Sequence, residues 1–272
     1  MSREIIFTDI NHRELFRIPD DSCIDLISYD GKKSVILCKY MNEHETNIGG
    51  CIYDTGSFVQ EQIEKGSVFA PCDRRPEEIG MYEIYQIRNI RDTDYAFRSF
   101  DEAKAAFNPL DYTRVYAAML SPGQSLDRLF ARHNADDRPF GQKMRSLSVS
   151  DVVVLLKDNT AAAYYVDSFG FTPVQSFFET ETIPISQRDT VSSYTVTARI
   201  PIGEKMFVLA ENPHAVQPFV TWQGHKDSKR FDWGHYYDRR VDAVRNLYRR
   251  VNNERDNLPF VPEKPKRRDH ER

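Results

Sequence analysis

The sequence predicts an α+β fold of three small modules, in which antiparallel sheets are each backed by one or two short helices. Apolar runs of strand length recur along the chain and are interspersed with a few helical segments. Short turn signals such as Asp30-Gly31 separate neighbouring runs, which favours hairpins over parallel crossovers. The length of 272 residues is compatible with several modules.

The first predicted module covers residues 1–76. Apolar runs predict strands over residues 4–7, 24–27 and 35–38. A helix is predicted over residues 57–65, with Ser57 as its N-cap and Gly66 after its end. The stretch 71–76, which holds two prolines, has the composition of a linker.

The second predicted module covers residues 80–180. Its strands are predicted over residues 81–87, 113–120, 151–156 and 161–166. Its helices are predicted over residues 99–107, 125–133 and 173–178. Ser99 and Glu102 have the spacing of a capping box. The strand 81–87 carries large apolar side chains at both parities, which predicts that both of its faces are covered.

The third predicted module covers residues 190–255, with strands over residues 194–200, 205–210 and 217–222. The clearest helix spans residues 238–254, where Asp238 is the expected cap and apolar residues recur at i, i+3 and i+4. The Pro-rich, charged segment 256–272 is predicted to be a disordered basic tail.

Composition excludes several classes of protein. The mean hydropathy is −0.59, no apolar run approaches the roughly 18 residues of a membrane helix, and the N-terminus lacks a secretory signal. We therefore expect a cytoplasmic protein without a membrane partner. The residues Cys38, His44, Cys51 and Cys72 lack the paired spacing of a zinc site, so no metal or cofactor is expected. Cys38 is predicted to be a buried thiol in a strand.

No catalytic residues are assigned. The chain lacks phosphate-binding loops, dinucleotide fingerprints, nucleophile elbows and zinc-hydrolase motifs. Asp151 and Asp167 flank a predicted hairpin, and a pair of carboxylates can carry acid–base chemistry. Asp at strand ends more commonly accepts backbone hydrogen bonds, as do the neighbouring Ser148, Ser150 and Ser168, and we favour that interpretation. Enzymatic activity is therefore left uncertain, with a non-enzymatic role preferred.

Parts of the chain resemble domains of mobile genetic elements. Residues 82–87 (YEIYQI), 116–123 (YAAMLSPG), 147–155 (LSVSDVVVL) and 164–171 (YYVDSFGF) resemble the YodL-like family. Residues 207–213, 219–222 and 231–237 are similar to an uncharacterised domain that follows YodL-like domains. Residues 38–44 with Gly49 are faintly similar to a large polyvalent protein-associated domain. The resemblance implies an accessory protein of a bacterial conjugative element that acts on host defences, and it carries over no catalytic residue.

The C-terminal third holds the candidate binding residues. Both tryptophans of the chain lie in a short stretch rich in aromatic and histidine side chains, followed by an arginine-rich helix. From His225 to Arg272 there are 14 Lys and Arg against 9 Asp and Glu, whereas the rest of the chain is acidic. The predicted binding residues are Trp222, His225, Trp233, His235, Tyr236, Tyr237, Arg239, Arg240, Arg249 and Arg250. A plain core for the aromatic residues and a solvated face for the helix are the alternative interpretations.

Three functions remain open at this point. We expect foremost a non-enzymatic interaction protein that binds a host or element-encoded protein and counters a defence system. The alternative is a nucleic-acid-binding accessory that uses the arginine-rich helix and tail. The third is an enzyme whose site, near Asp151, Asp167 or the two histidines His225 and His235, is not recognisable from motifs. The sequence leaves the oligomeric state undefined.

Overall fold

The computed structural model describes residues 3–180, 183–228 and 230–258. The chain divides into two compact units, Met1–Phe178 and Glu179–Arg272. It is 23% helical and 38% strand, with several antiparallel sheets, which confirms the predicted α+β fold. The first unit contains the strands of both the first and the second predicted module, and the three-module division stays a prediction. The predicted tail lies outside the described residues from residue 259 onward.

The N-terminal part of the first unit holds seven strands and one helix. They are β1 (Glu4–Thr8), β2 (Glu14–Pro19), β3 (Ser22–Ile27), β4 (Lys33–Tyr40), β5 (Thr46–Ile48), β6 (Cys51–Tyr53), α1 (Thr55–Glu64) and β7 (Val68–Pro71). Strands β1 and β2 form a hairpin, and the others form a sheet in the order β6-β5-β4-β3-β7. The rings of Phe7, Phe16, Phe58 and Phe69 pack against one another with centroids 4.9–6.0 Å apart. These rings bury the apolar side of the helix against the strands.

Helix α1 begins earlier than its sequence predicts. The side chain of Asp54, not that of Ser57, is the N-cap, and it accepts a hydrogen bond from the Ser57 amide at 3.0 Å. Asp is among the preferred N-cap residues, and its backbone is extended here. The helix ends as expected before Gly66, which has φ +64. The prediction of Ser57 as the cap was therefore wrong by three residues.

The middle of the chain forms a second five-stranded sheet. Its elements are α2 (Pro76–Ile79), β8 (Met81–Ile87), α3 (Phe100–Ala103), β9 (Tyr112–Met119), α4 (Leu126–Asn134), β10 (Val152–Lys157), β11 (Thr160–Val166) and β12 (Phe171–Pro173). The strand order is β12-β11-β10-β8-β9, so β8 has a neighbour on each side. All seven residues of β8 are buried, which confirms that both faces of this strand are covered.

Helix α3 is shorter than the predicted segment 99–107. The capping box of Ser99 and Glu102 is present, yet the helix ends at Ala103. The chain then places the ring of Phe107 5.6 Å from that of Tyr112 and 6.0 Å from that of Tyr165. Packing of the Phe107 ring on the sheet stabilises the chain more than a further turn of this helix would, because the helix has little apolar periodicity.

The second unit is a five-stranded sheet with one helix. Its elements are β13 (Thr190–Val191), β14 (Tyr194–Ile202), β15 (Lys205–Glu211), β16 (Phe219–His225), β17 (Asp232–Tyr237) and α5 (Arg240–Asn257). The order β13-β14-β15-β16-β17 makes β17 an edge strand. Helix α5 buries Val244, Leu247 and Val251, as its periodicity predicts. Its N-cap is Arg239, without a side-chain cap, so the assignment of Asp238 was wrong by one residue.

The longest described helix, α5, has 18 residues, and its sequence RVDAVRNLYRRVNNERDN carries several arginines. Within the described ranges, no helix is both long enough and apolar enough to cross a bilayer.

Candidate interaction surface

The hairpin of β16 and β17 contains a β-bulge. Thr221 lies opposite His235, but Gln223 lies opposite Asp232, so Trp222 faces two residues of β17. These two residues are Trp233 and Gly234. An extra residue of this kind bends a strand and redirects its side chains.

Gly234 allows the bulge to pack against the core. A Cβ atom at this position would lie 2.7 Å from Nε1 of Trp222 and 3.0 Å from the ring of Tyr236. A side chain at this position would force a neighbouring ring or the strand itself to shift. The glycine therefore lets the backbone of β17 lie directly on the buried indole of Trp222.

Trp233 is held in an unusual backbone conformation. Its φ is +56, in the left-handed region that bulky residues rarely occupy. Its side chain is 74% exposed, so no burial of the indole compensates for this conformation. Backbone outliers that persist without a packing benefit are typical of functional positions.

The side chain of Arg250 on α5 forms hydrogen bonds to both strands of the hairpin at the bulge. Its Nη1 donates to the backbone oxygen of Trp233 at 2.9 Å and to that of Thr221 at 3.0 Å. Its Nη2 donates to Oε1 of Gln223 at 3.1 Å. The guanidinium thus joins both strands of the hairpin to the helix, and it is engaged inside the fold.

Two other arginines of the predicted set are paired. Arg239 makes a bidentate contact with Asp242, with Nε and Nη2 donating at 2.9 and 2.8 Å. Arg240 donates to Glu211 at 3.1 Å and to Oγ1 of Thr180 at 3.1 Å. These contacts position the start of α5 against the sheet.

Arg249 differs from its neighbours. It is exposed on α5, and within the described ranges it has no hydrogen bond or ion pair with another residue. Burial, and then the positive charges of Arg250 and Arg249, lower the pKa of the His235 imidazole. Arg249 is therefore an exposed cation on α5 whose charge acts on the histidine of β17.

The aromatic residues of the predicted set separate into two environments. Trp222 is 5% exposed and stacks on Phe231, with centroids 6.3 Å apart and planes at 6°. Tyr236 contacts the ring of Tyr194 edge-on at 6.0 Å but is 44% exposed. His225 is exposed at the end of β16, with Nε2 3.6 Å from Glu204.

One group of predicted residues lies at one edge of the sheet, with His235 and Tyr237 on the face that α5 covers and Tyr236 on the opposite face. We call this edge the β17 surface, and it consists of Trp233, His235, Tyr236, Tyr237 and Arg249. Tyr237 is only partly exposed, and burial raises the pKa of its phenol. The surface combines aromatic rings, an exposed cation and an edge strand.

The second five-stranded sheet, formed by β8 to β12, lies in a region that matches a known domain family. Residues 81–177 match the YodL-like domain family. This chain contains a YodL-like domain. The match begins at the first residue of β8 and ends within the last helical turn of the first unit, Gln175–Phe178. No curated protein and no solved structure matches the chain. The resemblance of the flanking segments and the mobile-element setting stay expectations.

Asp151 is a buried anchor of the YodL-like domain. Its Oδ2 accepts hydrogen bonds from the Ser148 amide at 2.9 Å, from Gln86 at 3.0 Å and from Nη1 of Arg145 at 2.9 Å. Burial raises the pKa of Asp151 to about 6, whereas Arg145, Ser148 and Gln86 act in the opposite direction. The carboxylate ties a loop to the start of β10, and it has no exposed surface.

Asp167, which follows β11 at the same open end of the hairpin, also accepts local hydrogen bonds. Its Oδ1 accepts from the amides of Ser168 at 2.7 Å and Phe100 at 3.3 Å. Its Oδ2 accepts from Oγ1 of Thr172 at 2.8 Å. Both aspartates satisfy local donors, in agreement with the favoured interpretation, and no group of three metal-binding side chains lies within the described ranges.

His133 is a buried polar residue that the sequence did not single out. Its Nε2 lies 3.0 Å from Oη of Tyr82, and its ring contacts that of Tyr116 edge-on at 4.9 Å. Nδ1 is buried without a hydrogen-bond partner among the described residues. Burial lowers the pKa of His133 to about 4. The only sequence signal is its position in the last turn of the predicted helix 125–133.

Proposed function

We propose that this protein is a non-enzymatic accessory protein that binds a protein partner through the β17 surface. The proposal is supported foremost by Trp233, whose large side chain is exposed while its backbone is fixed in a left-handed bulge. Trp, Tyr and Arg are enriched among the few hot-spot residues that dominate the binding energy of protein interfaces. The β17 surface holds all three residue types on the edge strand of the described sheet.

The biological setting is part of the proposal. The sequence resemblance implies a bacterial mobile genetic element. The YodL-like domain at residues 81–177 supports this setting, because the setting is inferred from the resemblance to that family. We propose that the partner is a host protein, such as a component of a defence system, or a protein of the element itself.

The experiment is affinity capture with the full chain from a lysate of the host bacterium, followed by binding measurements with the purified partner. Trp233→Ala is expected to weaken binding at least about 30-fold, the effect of a hot-spot residue. Phe169→Ala is the matched control, because Phe169 is 98% exposed in the first unit. It is expected to leave affinity unchanged.

The proposal fails if no protein is captured reproducibly, or if the captured protein binds Trp233→Ala as tightly as the original chain. Circular dichroism of both variants establishes that the comparison is made between folded proteins.

Nucleic-acid binding is the second candidate, and one observation weakens it. Arg239, Arg240 and Arg250 are engaged in contacts within the second unit, which leaves Arg249 as the exposed arginine of the predicted set. A salt-dependent mobility shift of a single-stranded oligonucleotide that disappears in Arg249→Glu would favour this candidate. We expect no shift at low salt.

A further inference from the structure

Two cysteines face each other in the N-terminal sheet. Strand β7 is an edge strand beside β3, and the register pairs Ile24 with Pro71 and Asp25 with Ala70. The next pair in this register is Cys23 and Cys72. The amide of Cys72 donates to the backbone oxygen of Cys23 at 3.3 Å, so the pairing continues to this position.

Both thiols lie on the same face of the sheet. Directly opposed residues of antiparallel strands point to one face. The Sγ of Cys72 is 3.6 Å from Oδ1 of Asp25, which lies two residues from Cys23 on β3 and shares its face. A hydrogen-bonded pair places its Cα atoms about 5.5 Å apart, within the range of disulfide-linked residues.

We propose that Cys23 and Cys72 form a reversible disulfide that fastens the end of β7 to β3. Cys72 is exposed and Cys23 is half-buried, so small reagents reach the pair. Opposed Cβ atoms lie about 5 Å apart in such a ladder, against about 3.8 Å in a disulfide. Closing the bond therefore draws the edge strand inward, and the resulting strain makes the bond easy to reduce.

A peroxide is the oxidant for this step. The thiolate of one of the two cysteines attacks a peroxide oxygen, the O–O bond breaks, and the departing hydroxide takes a proton, which gives a sulfenic acid and water. The thiolate of the other cysteine then attacks that sulfur, the S–S bond forms, and the hydroxyl leaves as water after taking a proton. Two thiols lose two electrons, and one hydrogen peroxide becomes two waters. A dithiol restores both thiols by exchange.

The remaining two cysteines are internal controls. Cys38 is fully buried, and burial raises the pKa of its thiol to about 12, which suppresses reaction. Cys51 is exposed on β6, which β5 and β4 separate from β3. An exposed thiol without an opposed cysteine tests whether exposure alone produces the disulfide.

The test uses the full chain treated with hydrogen peroxide, then alkylated in denaturant and digested for mass spectrometry. We expect alkylation to fall from four thiols to two, with one cross-linked peptide pair joining Cys23 to Cys72. Cys51→Ser is expected to keep this cross-link. Cys72→Ser is expected to abolish it, and dithiothreitol is expected to restore four alkylated thiols.

The proposal is overturned if the Cys23–Cys72 peptide is absent after oxidation, or if Cys72→Ser still loses two thiols. A disulfide that joins only Cys51 residues of two copies also overturns it. Circular dichroism verifies that the exposed Cys72→Ser substitution keeps the fold. The result is independent of partner binding, so the two proposals can fail separately.

Discussion

Strands β8 and β17 are both rich in aromatic residues, yet they lie in opposite environments. Strand β8 of the YodL-like domain (MYEIYQI) is buried at every position. In strand β17 of the second unit (DWGHYY), five of the six residues are exposed. Among the described strands, the first has a neighbour on each side and the second has a neighbour on one side only.

The difference shows that aromatic content alone does not identify a core. A central strand whose faces are both covered must use its rings for packing. An edge strand can display its rings, provided that its backbone is held in place. Arg250 and Gly234 hold β17, and this anchoring makes an exposed Trp233 compatible with an ordered strand.

The largest expected difference between the two strands is in stability. Ile84→Ala in β8 is expected to lower the free energy of unfolding by about 3 kcal/mol, because the side chain is fully buried. Trp233→Ala is expected to change it by less than about 0.5 kcal/mol. Urea unfolding followed by circular dichroism measures both. Equal losses would contradict the assignment of β17 to a surface.

The histidines of the two units are expected to respond differently to pH. Burial lowers the pKa of His133 to about 4 from 6.5, so the unfolded chain binds the proton more tightly. The stability that neutral His133 contributes is present above about pH 6.5 and is lost as the pH falls toward 4, by about 3 kcal/mol. Asp151, whose pKa burial raises to about 6, acts with the opposite sign over an overlapping range.

Comparing the original chain with His133→Gln measures how much the His133 side chain contributes to the pH dependence of stability. The difference in unfolding free energy between the two proteins is expected to shrink as the pH falls from 7 to 4.5. His235→Gln, at an exposed site, is expected to change the pH profile in the same direction but to a smaller extent. A constant difference for His133→Gln at all pH values would show that this residue does not titrate as described.

Gly234→Ala tests the close approach of β17 to the buried indole. The added Cβ would lie 2.7 Å from Nε1 of Trp222, and we expect a loss of about 2 kcal/mol. Gly170→Ala in the YodL-like domain is the control, since its φ is +80 and no atom lies within 4 Å of the new Cβ. It is expected to lose about 1 kcal/mol, from backbone strain alone. Thermal unfolding followed by Trp fluorescence reports on the second unit, and circular dichroism reports on the first, which contains no tryptophan. A Gly234→Ala loss no greater than that of Gly170→Ala would disprove the contact.

The smallest expected effect is an increase in the free energy of unfolding. Trp233→Gly relieves the left-handed conformation at φ +56 and is expected to raise the free energy of unfolding by up to about 1 kcal/mol. Phe169→Gly is the matched control at an exposed aromatic residue, and is expected to lose about 0.5 kcal/mol. The midpoints of urea unfolding measure both. If the two substitutions destabilise equally, Trp233 is not strained.

Local patterns predicted much of the YodL-like domain. The predicted strand 81–87 coincides with β8, and the hairpin loop falls at Asp158 and Asn159, which have φ 48 and 61. Asp and Asn tolerate this conformation, so the turn is encoded in the residues themselves. The capping box at Ser99 is likewise a local feature. The length of helix α3 was not predicted, because a distant aromatic contact ends it.

Strand β17 was missed, and the candidate surface was only partly predicted. The segment 232–237 contains a glycine and carries aromatic residues at both parities, so it has no strand alternation. The sequence singled out Trp222 and Trp233 together, although one is 5% and the other 74% exposed. Likewise it grouped Arg250 with Arg249, although only the first bonds to the backbone of the hairpin.

By itself the sequence determined the α+β class, the amphipathic helix α5, the hairpin turns and the chemical composition of the candidate surface. These depend on periodicity, turn conformation and residue type, which act within a few neighbouring residues. The tertiary structure decided which aromatic residues are buried, which arginines are engaged and which strand is left at an edge. Those outcomes depend on strand order and on one bulge, since a single extra residue in β17 changes which side chains face the core and which face solvent.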